Sequence, residues 1–421
     1  MNEIIDQINR AFEEDDAEGV GALLEAHPKL KARINKPIAA FDAPVITCVR
    51  SPKMLDVLLA AGADINARSR WWAGGFGLLD TAEPELAAYA IKRGAKVDAH
   101  AAARLNLLDR LRELISAKPR LVHARGGDGQ TPLHFAGNVE IAAYLLDNGA
   151  DINARDVDHE STPAQHMVRD RQPVARYLVE RKCETDILLA SALGDLPLVR
   201  THLDAEPECV RTRVNDRYFP KSKCKSGGTI YQWTLGFHVS PHEVARQFRH
   251  EDVFQLLMDR SPNNVKLLAS CWLGDEPTVN TLLEQNPGLL ESVTEMDRRQ
   301  TADAARNNNL PAVRLMLAAG LPLEAIGQHG ATPLHWAAFH GNAEMVRLLL
   351  RDKPSLARLD ADFKNNPLGW AIHGSENGWH HKTGDYSATV EMLLEAGAVP
   401  PGKLAGTNTV KEQLRRYGVK D

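Results

Sequence analysis

Only five cysteines occur among 421 residues, and none forms a CxxC pair. Cys48, Cys183, Cys209, Cys224 and Cys271 are scattered and odd in number, which argues against a disulfide framework or zinc ribbon and for a reducing compartment. Long apolar runs are missing as well: no stretch approaches the ~20 residues that a membrane-crossing helix requires. The opening residues are acidic and polar, so no signal peptide is expected and a cytoplasmic location is. A formal net charge of −5 gives no broad basic surface, so neither nucleic acid nor membrane is an expected partner. No Gly-rich phosphate loop, nucleophile elbow, HExxH helix or Cys/His dyad spacing is present. No cofactor and no metal site are therefore expected, and binding is favoured over catalysis.

What the chain does have is repetition. Ala61-Gly-Ala-Asp-Ile-Asn-Ala-Arg68 returns almost unchanged at Asn148 to Arg155, and Thr-Pro-Leu-His occurs at Thr131 to His134 and again at Thr332 to His335. Helix-period segments end in apolar runs and then meet a breaker, either a glycine (Gly62, Gly94, Gly149, Gly320, Gly397) or a proline (Pro28, Pro119, Pro207, Pro287, Pro354). With two weaker breakers near Cys183 and Ser261, the intervals are 34, 32, 25, 30, 34, 24, 54, 26, 33, 34 and 43 residues. Thr131 to Ala136 and Thr332 to Ala338 resemble the ankyrin-repeat signature, with Gly-Ala-Asp-Ile-Asn-Ala as its hairpin. The resemblance runs from about residue 2 to 399, in degenerate repeats with insertions. It implies an all-α solenoid of about twelve helix-turn-helix units with β-hairpin fingers over residues 1–402, closed by a capping helix in 403–421. It also implies an interaction scaffold, and it makes the motif histidines, His134 and His335, ties between neighbouring units.

The departures from the period carry the particulars. The 54-residue interval has its surplus at 215–239, an enlarged finger with strand-like segments around Ser226-Gly-Gly. Arg211, Arg213, Arg217, Lys221, Lys223 and Lys225 interleave there with Tyr218, Phe219 and Tyr231, a pattern that suits an acidic peptide, a phosphate or RNA, or simply a solvated hairpin. The 43-residue interval has its surplus at 374–386, which contains Glu376, Trp379, His380, His381 and Asp385. Trp71 and Trp72 sit in a third irregular loop, and Trp233 in the enlarged finger. Aromatic side chains on loops suggest a recognition surface.

The variable position after the signature histidine holds Phe135, His166, Trp336 and Trp370, with Phe339 and His373 one turn beyond the tryptophans. This stripe is expected to line the concave groove. Two functions follow. In the first, the groove grips another macromolecule, most naturally a protein, with the finger and the Trp336/Trp370 stripe as anchors. In the second, the two insertions close over the groove and hold a small polar or sugar-like molecule. Candidate acid/base groups are then His238, His242, His373, Glu376, His380, His381 and Asp385, beside stacking platforms at Trp233, Trp336 and Trp370, with Tyr231 and Trp379 among the candidate binding residues. Each of these groups also has a structural reading: a packed loop for His380 and His381, and a brace between insertion and helix for His238 and His242. Asp80 and Glu243 stand where a signature histidine would, as groove groups or as lapses of the repeat.

Overall fold

The computed structural model of the protein describes residues 2–37 and 39–420. The chain divides into two compact units, Met1–Leu193 with Val214–Gly236, and Gly194–Arg213 with Phe237–Asp421. Each is built from paired helices. In the first unit, Pro132–Phe135 precedes Val139–Asp147 and Pro163–His166 precedes Gln172–Glu180. In the second, Pro333–Phe339 precedes Ala343–Leu350 and Pro367–Asn377 precedes Tyr386–Glu395, after which comes the helix Asn408–Arg416. No strand forms among the described residues. The β-hairpin fingers are tight loops, with isolated bridges only at Ala39–Ala43 and Arg68–Gly77. The strand-like reading of 226–228 is corrected in the same way, since these residues turn into the short helix Tyr231–Thr234.

Apolar positions spaced three and four apart explain the packing of each pair. Ile141, Ala142 and Leu145 on one helix, and Val174, Ala175 and Leu178 on the next, are all essentially without solvent contact. The second unit repeats the pattern with Met345, Val346 and Leu349 against Val390 and Leu393. Breakers act as the sequence requires: Gly149 ends its helix at φ +90, a left-handed conformation that disfavours any side chain.

The signature histidines join elements through both ring nitrogens. Thr332 N–H donates to Nδ1 of His335 at 3.2 Å, which leaves Nε2 as the protonated nitrogen, donating to the carbonyls of Arg358 and Asn365 at 3.1 and 3.2 Å. His134 is bound identically between Thr131 N–H and the carbonyl of Ser161. Asp80 and Glu243 occupy the equivalent position and accept from the N–H groups of Gly77 and Ser240, so both are helix caps. Removing such a bridge leaves buried donors and acceptors unpaired. His335→Ala is therefore expected to lower the unfolding free energy by about 2–4 kcal/mol in urea titrations. An equal midpoint for the variant and the parent would refute the bridging role.

Candidate functional site

In the first unit the enlarged finger folds onto a repeat loop, and the contact is made almost wholly of hydrogen bonds. Asp156 starts the loop: its carboxylate accepts from the N–H groups of His159 at 2.8 Å and Ser161 at 2.7 Å, bending 156–161 into a turn. Burial opposes ionisation of Asp156, but the facing His166 imidazole and these two N–H groups hold it down at about 2. Each of the four residues after Val157 then grips the finger. Asp158 Oδ1 accepts from Gly227 N–H at 2.9 Å, and its carbonyl accepts from the Ser226 hydroxyl at 2.6 Å. His159 Nδ1 donates to the carbonyl of Gly228 at 2.9 Å. Glu160 accepts from the N–H groups of Ser222 and Lys223 at 2.9 and 3.1 Å, and the Ser161 hydroxyl accepts from Ile230 N–H. Gly228 sits at φ +81, and a Cβ there would lie 2.9 Å from the Gln232 amide, so the turn that presents this carbonyl needs glycine.

Between finger and loop lies a cleft of about 530 Å³. Its walls include Arg155, Gln165, Glu184 and Asp186, with Tyr218, Phe219 and Lys221 from the finger. Tyr231, fully buried, donates to Asp186 at 2.9 Å and meets the Phe219 ring edge-on at 5.5 Å, which fixes the roof from beneath. No lining residue comes from 374–386. Arg155 is paired with Glu184 at 2.6 Å and Lys221 with Asp216 at 3.5 Å.

Behind the cleft, His159 Nε2 faces Asp128 Oδ2 at 3.8 Å and Asp158 Oδ2 at 4.0 Å. Burial raises Asp128 to about 6, with the Asp158 and Asp156 charges adding to the rise, and the charge of His159 and the Trp71 indole opposing it. Nothing in the spacing of Asp128, Asp158 and His159 marks them in the sequence, because the fold of two separate loops joins them. His166 lies alongside, its Nε2 3.4 Å from Asp156 and its ring 5.1 Å from that of His134.

The sequence-nominated residues are distributed over both units. Phe135 is buried edge-on to His100, and Trp71 packs between Phe41 and Trp72. Trp233 is 66% exposed on the finger. In the second unit Trp336 and Trp370 are 3% and 6% exposed, so the stripe expected on an open groove belongs mainly to the core. They meet at 5.0 Å, and the Trp370 indole N–H donates to Asp360. Phe339 joins them, with the ring of the exposed His373 stacked on it. Trp379 stacks on Trp336 and remains 58% exposed.

Groups proposed for acid/base work are likewise held in structural roles or lie apart. His242 Nε2 donates at 2.9 Å to the Ser261 hydroxyl, whose own proton goes to the Leu257 carbonyl. His238 is buried with Nδ1 3.5 Å from Asp303 Oδ2, and its carbonyl accepts from Arg213. His380 rests against His340, His381 bonds to the Gly378 carbonyl, and Asp385 caps the helix that starts at Tyr386. Glu376 is exposed. The basic stretch is divided too: Arg213 pairs with Glu243 inside the second unit, Arg211 pairs with Glu208 and Asp297, and Arg217 stacks on Tyr218 in the first. Phe237, at the end of the first surplus stretch, and Trp379 in the second both lie against the Arg306 guanidinium, at 3.9 and 5.1 Å.

Comparison with known proteins places the repeats but not the cleft. A family model for ankyrin repeats, in three copies, matches residues 99–212, 266–358 and 301–401, together more than half of the chain. The matched segments stop before the finger and resume after it. The chain is 32% identical over 90 residues to an E3 ubiquitin-protein ligase, XB3, of Oryza sativa subsp. japonica, covering 21% of this chain and 20% of that one. It is 47% identical over 68 residues to a serine/threonine-protein kinase, VIK, of Arabidopsis thaliana, covering 14% and 16%. The chain thus spans a fifth or less of either relative. No helix among the described residues is long and apolar enough to cross a membrane.

The buried histidines give a pH signature. Burial holds His134, His238 and His242 down at about 3 and His340 at about 4. Each folded value lies below the unfolded ~6.5, so the unfolded chain binds more protons and stability is lost as pH falls below ~6.5. Asp303 and Asp128, raised to about 6, act oppositely: the folded chain keeps their protons longer, and their contribution falls as pH rises towards 6. The four histidines outweigh the two carboxyls. The urea midpoint is expected to be lower at pH 5 than at pH 7.5, and a midpoint that rises on acidification would contradict the neutral buried imidazoles.

Proposed function

This chain belongs to the ankyrin-repeat family, and from that premise we propose that it is a binding scaffold whose specific contact is made in the finger-roofed cleft of the first unit. Repeats of this family are generally protein-interaction modules, so the partner we assign is another protein. One observation carries the reading. The surplus finger does not extend the repeats but is fastened over a repeat loop, leaving a cleft with polar walls and two half-buried rings, Tyr218 and Phe219. Backbone amides of an extended segment would find donors and acceptors there, and one side chain of the segment would pack on the rings. A second reading, a small polar ligand, draws support from the cleft's size of about 530 Å³. Small-ligand sites span roughly 300–1,000 Å³.

Tyr218→Ala combined with Lys221→Ala alters the roof and leaves the hydrogen bonds of the finger to Asp158, His159, Glu160 and Ser161 in place. The double variant is expected to lose a partner that the parent chain captures, with its melting temperature changed by less than ~2 °C. Capture of an identical partner set by both proteins would sink the cleft reading. Loss through Trp379→Ala alone would move the contact to the second unit. Under the second reading, polar metabolites should stabilise the parent chain in a thermal-shift panel and leave the double variant unmoved.

A further inference from the structure

Asp128, Asp158 and His159 offer one ligand atom each, all within 4.8 Å of one another. The state of the imidazole decides what this triad can hold. His159 Nδ1 lies 2.9 Å from the Gly228 carbonyl, which can only accept, so the ring's hydrogen is on Nδ1. In the neutral ring Nε2 is then a bare lone pair, turned towards two carboxylate oxygens at 3.8 and 4.0 Å. Apart from the Trp71 indole directed at Asp128, no hydrogen bond closes among these three atoms, and positive charge at their centre is favoured. A proton on Nε2 would not bridge such gaps, because hydrogen bonds close at about 2.7–3.2 Å. A metal ion does, since ligand atoms at about 2.0–2.2 Å from a shared centre stand roughly 3–4 Å apart.

We propose that Asp128 Oδ2, Asp158 Oδ2 and His159 Nε2 form a binding site for a divalent first-row transition metal of the Zn²⁺ or Mn²⁺ kind. Mixed imidazole and carboxylate donors select such ions over Mg²⁺ and Ca²⁺, which take oxygen alone. The donors are held from outside. Asp158 Oδ1 is occupied by Gly227 N–H, so Oδ2 is the free oxygen, and the carbonyl of Asp128 accepts from the N–H groups of Val157 and Asp158. These supports orient the ligands, as outer hydrogen bonds do at metal centres. Because His159 also lines the cleft, three protein ligands leave coordination positions on the side where a guest would sit. The inference stands whether or not the cleft takes a partner segment.

The second unit supplies an internal contrast. At the equivalent loop tips, His329 Nδ1 and Asp362 Oδ2 are 2.7 Å apart and satisfy each other, and Phe363 stands where the first unit has His159. The neighbouring His134, Asp156 and His166 are not a second centre. Both His134 nitrogens and both Asp156 oxygens are already engaged.

The full chain, stripped with EDTA, is titrated calorimetrically with Zn²⁺ and with Mn²⁺, and its visible spectrum is followed with Co²⁺ as a probe. One equivalent is expected to bind, at least ~100-fold more weakly in Asp158→Asn and in His159→Gln, and unchanged in Asp362→Asn. Co²⁺ on the parent chain should give the d–d bands of a low-coordinate nitrogen–oxygen site, which tests the ligands even if a variant fails to fold. Absence of uptake by the parent overturns the proposal, as does uptake that survives both ligand variants. So does an imidazolium at His159 that titrates in NMR without responding to added metal, which would assign the charge to a proton.

Discussion

The carboxylate of Asp156 organises the first unit's site. It binds the N–H groups of His159 and Ser161 within the turn 156–161 and faces His166, and in doing so it presents Asp158, His159, Glu160 and Ser161 in a row. Each member of that row takes a hydrogen bond from the enlarged finger or gives one to it. The edge-on contact of Phe219 with Tyr231 adds apolar packing to these hydrogen bonds. The cleft is thus a consequence of one buried charge, ionised by the N–H groups and imidazole directed at it.

The same device operates in the second unit with a different result. Asp360 accepts from the N–H groups of Asp362, Phe363 and Asn365, and the Trp370 indole N–H replaces the imidazole of His166. There the turn carries no finger, and its Phe363 is left 65% exposed. One backbone solution therefore supports two surfaces, and the side chains at its tip decide between polar docking and aromatic display. Loop variation on a rigid repeat is the route by which such scaffolds acquire distinct contacts.

The helical class, the breakers and the bridging histidines were legible because they depend on local rules. A proline in the first helical turn, a capping threonine and a glycine past the end act within a few residues of themselves. The surplus at 215–239 was legible as a length. Its partner was not, since Glu160 and Ser222 lie 62 residues apart and no period relates them. The Trp336 and Trp370 stripe was read as groove and lies in the core, because a position's face along a helix does not say how deeply a neighbouring insertion covers it. Trp379, from the second surplus, is what stacks over Trp336. The triad of Asp128, Asp158 and His159 left no trace in spacing, because one ligand belongs to a different loop from the other two.

The two units also differ in how they manage buried charge. In the second, Arg213 answers Glu243, and Arg306 is enclosed by Phe237, Trp336 and Trp379, so each cation has a carboxylate or a ring face as counterpart. In the first, Asp128 and Asp158 are gathered behind the cleft with His159 as the imidazole between them, turned by its bond to Gly228 so that Nε2 faces both carboxylates at 3.8 and 4.0 Å. A fold that tolerates this arrangement must recover the desolvation cost elsewhere, through a bound counter-ion or through protonation. The back of the cleft, rather than its paired and solvated rim, is therefore where the first unit gathers two carboxylates around one imidazole.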